Sequence, residues 1–336
     1  MHMADALISP QVGAMMWAAT AATGAYCIKK IQVDEHQGPI ALAGILGAFV
    51  FAAQMINFSI PGTGSSGHIG GGLLLAILLG PHLAFLTMAS ILLIQALFFA
   101  DGGLLSYGCN VFNLAFYTCF IAYPFIYKPL AKKVRSNKAA LILAAVLGLQ
   151  MGAFSVVLET LFSGKTELPF STFVLLMQPI HLAIGLVEGL ISAAIVAFVE
   201  KSAPQLLNQG AGNIQEQSTS ALQKLMAVMV VATLLTGGIL SWFASEYPDG
   251  LEWSIQKVTG STELEAPSPV HGVFAAIQET LAPLPDYSLK TSGEPPSGWL
   301  QTHWGTSLSG IVGALLTFMI VLGLGFTLKR KTDTKA

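Results

Sequence analysis

Runs of about twenty apolar residues, almost free of charge, recur along this chain, and a bilayer is the one solvent that suits them. A helix needs roughly 20 apolar residues to cross a membrane core. Eight stretches qualify: 7–28, 39–60, 83–99, 111–127, 139–162, 172–199, 222–243 and 308–328. A ninth, 69–79, is short and glycine-rich. It ends at Gly80-Pro81-His82, because proline cannot continue a helix and restricts the residue before it. We read it as a short span that borrows residues from the loop before it. Charged residues make up 10% of the chain and mean hydropathy is +0.66, whereas a soluble domain carries roughly a quarter charged residues. A soluble enzyme is excluded, and so is a disordered scaffold. The 34 glycines lie among apolar residues, as in closely packed membrane helices; barrel strands would alternate apolar and polar. The expected fold is an all-α membrane protein of about nine transmembrane helices.

The basic residues orient these spans. With the N-terminus outside, the inner segments hold Lys29, Lys30, Lys128, Lys132, Lys133, Arg135, Lys138, Lys201, Lys224, Lys329, Arg330, Lys331 and Lys335. The outer segments hold Lys165, Lys257 and Lys290. Thirteen of the 16 basic residues inside is a strong positive-inside bias. Omitting the short span would put the Lys128–Lys138 cluster outside. Nine spans, N-terminus out and C-terminus cytoplasmic, in a plasma or inner membrane, is the consistent reading. The opening Met1-His2-Met3-Ala4-Asp5 has no basic n-region, so a cleaved signal peptide is not expected.

The organisation follows from composition. Residues 1–200 form a seven-helix unit. Residues 201–221, rich in Gln, Asn, Ser and Gly, read as a cytoplasmic linker. Residues 222–336 form a two-helix module with a long outer segment, 246–306. Cys27, Cys109 and Cys119 are odd in number and widely spaced, which implies neither a disulfide framework nor a zinc site. A net charge of −2 gives no footprint for nucleic acid.

Three motifs fail in context. Gly62-Thr63-Gly64-Ser65-Ser66-Gly67 matches a dinucleotide fingerprint, but it follows a membrane helix and faces outside, with no βαβ unit around it. The plain reading is a tight loop that glycine lets turn. Ser163-Gly164-Lys165-Thr166 ends like a P-loop, yet Glu159 stands where that pattern needs glycine. Ser65, Ser66 and His68 lack an acidic orienting group for nucleophilic catalysis. Any ATPase serving this chain is therefore a separate subunit.

His2 carries the chemistry that survives. A free α-amine, the amide nitrogen of residue 2 and Nδ1 of a histidine there close a five-membered and a six-membered chelate ring around one ion. Three nitrogens then lie nearly in a plane, which suits Ni(II) or Cu(II) and not tetrahedral zinc. The ion's own charge makes loss of the amide proton feasible. His68, on the outer glycine loop and on the same side as the N-terminus, is the natural fourth nitrogen. Taken singly, His2 is what an idle terminus carries and His68 what a backbone-bonded loop histidine looks like; their shared side makes the pair informative. Met1, His2 and His68 are the expected metal ligands. Asn110 and Asn113 are expected to support them by hydrogen bonds.

Met1-His2-Met3, the loop Pro61–His68 and the run Gly80-Pro81-His82 resemble the nickel/cobalt substrate-binding subunits of energy-coupling-factor transporters, the NikM/CbiM family. So do Phe98-Phe99-Ala100-Asp101-Gly102-Gly103-Leu104 and Gly108-Cys109-Asn110. The resemblance covers residues 1 to about 200. Residues 222–328 resemble the two-span auxiliary module of these systems, marked by Pro248-Asp249-Gly250-Leu251-Glu252-Trp253 and Pro285-Asp286-Tyr287. The resemblance implies a seven-helix subunit that captures Ni(2+) or Co(2+) from outside and has no intrinsic cofactor. It implies a transmembrane coupling subunit and cytoplasmic ABC-type ATPases as partners. It places the ligands on the Met1 amine, the His2 amide and imidazole, and the His68 imidazole.

Other polar residues fall inside spans. His181 and Glu188, seven apart, share one helix face, and Glu159 lies on another helix. Ionisable groups there mark either a structural network or a transport path. An intramembrane metalloenzyme using Glu159, His181 and Glu188 is the rival reading, but no H-E-x-x-H or comparable set is present. A metal-sensing receptor is a second rival, with inner segments too short for a signalling domain. Ala14, Ala18 and Ala22 recur every fourth residue, a small-residue stripe that suits either internal packing or docking of a coupling subunit. His82 is expected to be structural, and His271 and His303 to be surface histidines.

Overall fold

The computed structural model describes residues 2–33, 40–133, 137–209, 219–265, 268–289 and 299–332. It is a bundle of long apolar helices, with a helix in each of the nine expected spans. They are α1 (Pro10–Val33), α2 (Ile40–Gln54), α3 (Gly72–Leu79), α4 (Pro81–Phe98), α5 (Tyr107–Lys133), α6 (Asn137–Phe162) and α7 (Phe170–Ser202). After α8 (Thr219–Gly238) come two short amphipathic helices, α9 (Gly250–Thr259) and α10 (Pro269–Leu281), and then α11 (Trp299–Thr332). Among the described residues six helices are long and apolar enough to cross a membrane unaided: α4 to α8 and α11. α3 is not. Its eight residues rise only ~12 Å at 1.5 Å per residue, against a hydrocarbon core of about 30 Å.

Local chemistry sets the helix ends nearest the site. α1 begins Ser9-Pro10, where the Ser9 hydroxyl accepts from Val12 N at 3.3 Å and proline's missing N–H costs nothing. α3 starts at Gly71, whose φ of +79° is left-handed backbone that glycine adopts without strain. Between α2 and α3 a small hairpin forms from β1 (Phe58–Ile60) and β2 (Ser65–Gly67), with Ser59 opposite Ser66.

The module after the linker does not stand apart. α11 lies along α2, where Gly44 lets Phe318 approach and Gly313 lets Phe51 approach. α8 crosses α11 glycine to glycine, at Gly237 and Gly310, and Trp242 Nε1 donates to Ser307 Oγ at 2.6 Å. The segment between α8 and α11 folds back over one end of the bundle. Gln278 Nε2 donates to the carbonyls of Ala96 and Gly102, and the amides of Leu284 and Asp286 donate to those of Phe98 and Phe99. His271 corrects the sequence reading. It is buried, not a surface histidine: Nε2 donates to the Ile8 carbonyl at 2.9 Å and Nδ1 accepts from Ser268 Oγ at 2.6 Å. His82 packs between the rings of Tyr26 and Phe120, and His303 stacks on Trp242. The Lys329–Lys331 side chains, Arg135, Lys290 and Lys335 lie outside the described residues, as does part of the 201–221 linker, residues 210–218.

Candidate metal centre

His2 and His68, 66 residues apart in sequence, meet face to face. Their rings stack with centroids 4.9 Å apart and planes inclined by 15°. Two clasps bring them there. The first holds the N-terminal strand by its backbone: Asn110 Oδ1 accepts from Met3 N at 2.7 Å, and Asn110 Nδ2 donates to the Met3 carbonyl at 3.1 Å. Gly103 N and Ser106 Oγ donate to the same carbonyl. Asn110 thus positions the strand that carries His2. Asn113 lies one step further out, donating to Glu159 Oε2 at 2.7 Å and touching Met3 Sδ. Met1 lies outside the described residues.

The second clasp holds the loop of His68. Gly67 has no room for a side chain, since a Cβ there would sit 2.5 Å from the Ile184 side chain. Beyond His68 the backbone is buried and irregular, so its polar groups need partners. The Glu188 carboxylate supplies them, accepting from Gly70 N at 2.7 Å and Gly71 N at 3.1 Å. Gln54 Nε2 donates to the Gly70 carbonyl, and Gln95 Nε2 donates to Gln54 Oε1. Glu188 is therefore the anchor of the loop that carries His68.

The hydrogen bonds fix the imidazole tautomers. His68 Nδ1 lies 2.9 Å from the Ile69 carbonyl oxygen. A carbonyl only accepts, so Nδ1 carries the proton and Nε2 the lone pair. Burial first, then the adjacent His2 imidazole, hold the His68 pKa down at about 4, which keeps the ring neutral and ready to ligate. His2 Nδ1 lies 2.9 Å from Asp101 Oδ1, while its Nε2 is buried without a partner. Burial pushes the Asp101 carboxyl up. The His2 imidazole and the hydrogen bonds from His2 and Tyr287 outweigh it and hold the group well below the usual carboxylate range. Tyr287 donates its hydroxyl to Asp101 Oδ2 and stacks on Phe99 at 4.8 Å.

The fused module completes the surroundings. Asp249 caps α9, with Oδ1 accepting from Leu251 N and Glu252 N at 2.8 Å and Glu252 closing the reciprocal bond. That cap seats the helix on the loop of His68: Ser66 N donates to the Pro248 carbonyl, Ser66 Oγ to the Tyr247 carbonyl, and Trp253 Nε1 to the Thr63 carbonyl. Burial raises the Asp249 carboxyl, but the positive α-amine of the chain first, and then the capping bond from Glu252 N, keep it at about 2. A cavity of about 510 Å³ opens outward from His2 and His68, lined by the carboxylates of Asp5, Asp101, Glu252 and Glu263.

Among the described residues no three His, Cys, Asp or Glu side chains converge as a metal-binding group. The arrangement brings together two imidazoles on a clamped N-terminal strand and a clamped loop. Sequence reasoning singled out both imidazoles, Asn110 and Asn113; the structure pairs Asn110 with the Met3 backbone and Asn113 with Glu159, neither with an imidazole, and Asp101, Tyr287 and Asp249 were not named as partners. The motifs containing these three residues were visible; their meeting at one end of the bundle was not. Ala14, Ala18 and Ala22 are exposed on α1.

This fold defines a multi-pass membrane protein, and its relatives make it a component of metal transport. Residues 2–206 match the family described as the CbiM cobalt uptake substrate-specific transmembrane region, and residues 223–330 match the PDGLE domain. The chain belongs to the CbiM family, with a PDGLE domain fused behind it. It is 31% identical over 334 residues to a putative fused nickel transport protein NikMN of Archaeoglobus fulgidus, covering 99% of this chain and 100% of that one. It is 30% identical over 355 residues to a probable fused nickel transport protein LarMN of Lactiplantibacillus plantarum, covering 99% of each. A crystal structure of a transition metal transporter superposes on 60% of this chain and 93% of its own, at 29% identity and a TM-score of 0.53.

Proposed function

We propose that this chain is the substrate-specific component of an ATP-driven energy-coupling-factor importer of nickel(II), taking the ion from the outer side. The ligands in this reading are the Met1 amine, the His2 amide and imidazole, and the His68 imidazole. The stacked approach of His2 and His68 is the observation that carries it. Nickel is preferred to cobalt because the amine, amide and imidazole of His2 impose a plane, and the full-length relatives bear nickel names. The exposed stripe of Ala14, Ala18 and Ala22 is where the transmembrane coupling subunit docks, with cytoplasmic ABC-type ATPases behind it.

The test is nickel titration of the purified chain in detergent, followed by calorimetry and by absorption. One tight equivalent with the weak band of planar low-spin Ni(II) is expected. His68→Ala keeps the fold and loses affinity at least about 100-fold, or ~2.7 kcal/mol. Wild-type affinity in that variant sinks the assignment. Uptake in cells is expected only with the coupling subunit and ATPases present, and accumulation by this chain alone at the full rate contradicts the energy-coupling reading.

A further inference from the structure

Across a small cavity from His68 lies a second imidazole that the four-nitrogen site proposed above does not use. His181 sits on α7 and is 1% exposed. Its Nδ1 lies 2.8 Å from the Met177 carbonyl oxygen, so Nδ1 carries the proton. Nε2 is left with a lone pair, and that atom is buried with no hydrogen-bond partner. Buried polar atoms in native proteins are nearly always paired, and an orphan calls for an explanation.

The surroundings supply one. His181 lines a small cavity of about 10 Å³ together with His68, Asp249, Gly67, Gly70 and Gly250. Three of these six are glycines, and their side of the cavity is bare backbone. A Cβ on Gly250 would come within 3.3 Å of His181 Cε1, and one on Gly70 within 3.4 Å of Leu114 and Leu149. A space of this size holds about one water-sized body. It admits a bare cation or a single water, and no hydrated ion.

We propose that this cavity is a second, weaker cation station on the inward side of the outer site. It takes a divalent nitrogen-seeking ion on His181 Nε2 and the Asp249 carboxylate. The ion arrives from His68, which borders both spaces. The proposal rests on the function proposed above and extends it. A chelate that includes a deprotonated amide holds its ion tightly, and release needs a stepping stone that lowers the barrier to ligand loss. The step is a ligand exchange. The ion's bonds to the Met1 amine, the His2 amide and imidazole and the His68 imidazole break as its bonds to His181 Nε2 and the Asp249 carboxylate form, and the amide nitrogen takes back one proton from water, releasing hydroxide to the outer solvent. No electron moves. An imidazole and a carboxylate bind less tightly than the planar set, so the ion passes without returning to bulk water.

The experiment titrates the full chain in detergent with nickel(II) chloride alone, counting bound metal by equilibrium dialysis and watching the planar band. Wild type is expected to bind one tight equivalent with the band and a second, at least about 100-fold weaker, without it. His181→Gln keeps the first equivalent and its band and loses the second, and nickel uptake with partner subunits falls about tenfold or more. The retained band reports that this variant is folded. A single equivalent in wild type overturns the proposal. So do two equivalents in His181→Gln, or loss of the planar band in that variant. Failure of the outer site shows differently, as a planar band that survives His68→Ala.

Discussion

His2 Nδ1 donates to Asp101 Oδ1 across 2.9 Å, so the nitrogen the chelate requires is held by a carboxylate from another loop. The carboxylate sets the imidazole beside His68 before any ion arrives and adds negative charge next to the site. Capturing the ion means turning Nδ1 away from Asp101. The negative charge of Asp101 stays beside the captured ion after that bond is given up.

Asp101→Ala is therefore expected to weaken nickel binding about tenfold, because the cost of ordering His2 moves into the binding step. Tyr287→Phe keeps the stacking on Phe99 and removes one hydrogen bond to Asp101. Its effect is smaller, about threefold, in line with ~1 kcal/mol or less for one such bond. The two act through one carboxylate, so the double variant binds like Asp101→Ala alone. Calorimetry on the four proteins checks this; additive losses would show that Tyr287 acts by another route.

Glu188→Ala leaves the Gly70 and Gly71 amides buried without acceptors. Each unsatisfied amide costs about 1–3 kcal/mol. The variant is expected to melt several degrees lower and to bind nickel more weakly, as the loop of His68 loses its anchor. Glu188→Gln retains one good acceptor and falls between the two. A thermal melt in detergent with and without nickel is the measurement, and an unchanged melt refutes the anchor.

Gly67→Ala puts a methyl 2.5 Å from the Ile184 side chain. Overpacking of this kind costs about 1–3 kcal/mol, and the strain falls on the residue before His68. Nickel affinity and stability are expected to drop together. Ile184→Ala in the same chain makes room and restores nickel affinity, though not full stability. If the second change restores nothing, Gly67 is required for some reason other than space.

Much of this architecture was legible because membrane helices announce themselves by length and apolarity, residue by residue. The glycine loop, its outer position and the pairing of His2 with His68 followed from charge placement and chelate geometry. α3 was harder. The amides just before Gly72–Leu79 are paired by Glu188, more than a hundred residues later, which no local pattern announces. Asp249 and Tyr287 were seen as marks of the second module, but no local pattern says that a segment after a long linker folds back over Asp101 and Ser66. His271 shows the same limit. Its neighbours suggest a surface, and the bond to the Ile8 carbonyl comes from far along the chain. Side-chain periodicity reports which face is buried, not by what.

The N-terminus gives the sharpest test of the ligand set. Methionine aminopeptidase cuts only before small residues, so the bulky His2 keeps Met1 in place. The chelate then depends on a free amine standing one residue before a histidine. An acetyl group or tag on Met1 removes the amine's lone pair and is expected to cost at least about 100-fold in nickel affinity, ~2.7 kcal/mol. Inserting Leu between Met1 and His2 keeps Met1 and moves the amine out of register, with a similar loss. Inserting Ala triggers removal of Met1 and leaves Ala-His at the terminus. The same five- and six-membered rings form again, and binding largely survives. These variants differ by a residue or less ahead of Met3, whose backbone Asn110 clasps, so the clasp is common to all of them. Mass spectrometry confirms each terminus before calorimetry. If the acetylated or Leu-inserted protein binds nickel as tightly as wild type, the amine is not a ligand and the four-nitrogen plane is wrong.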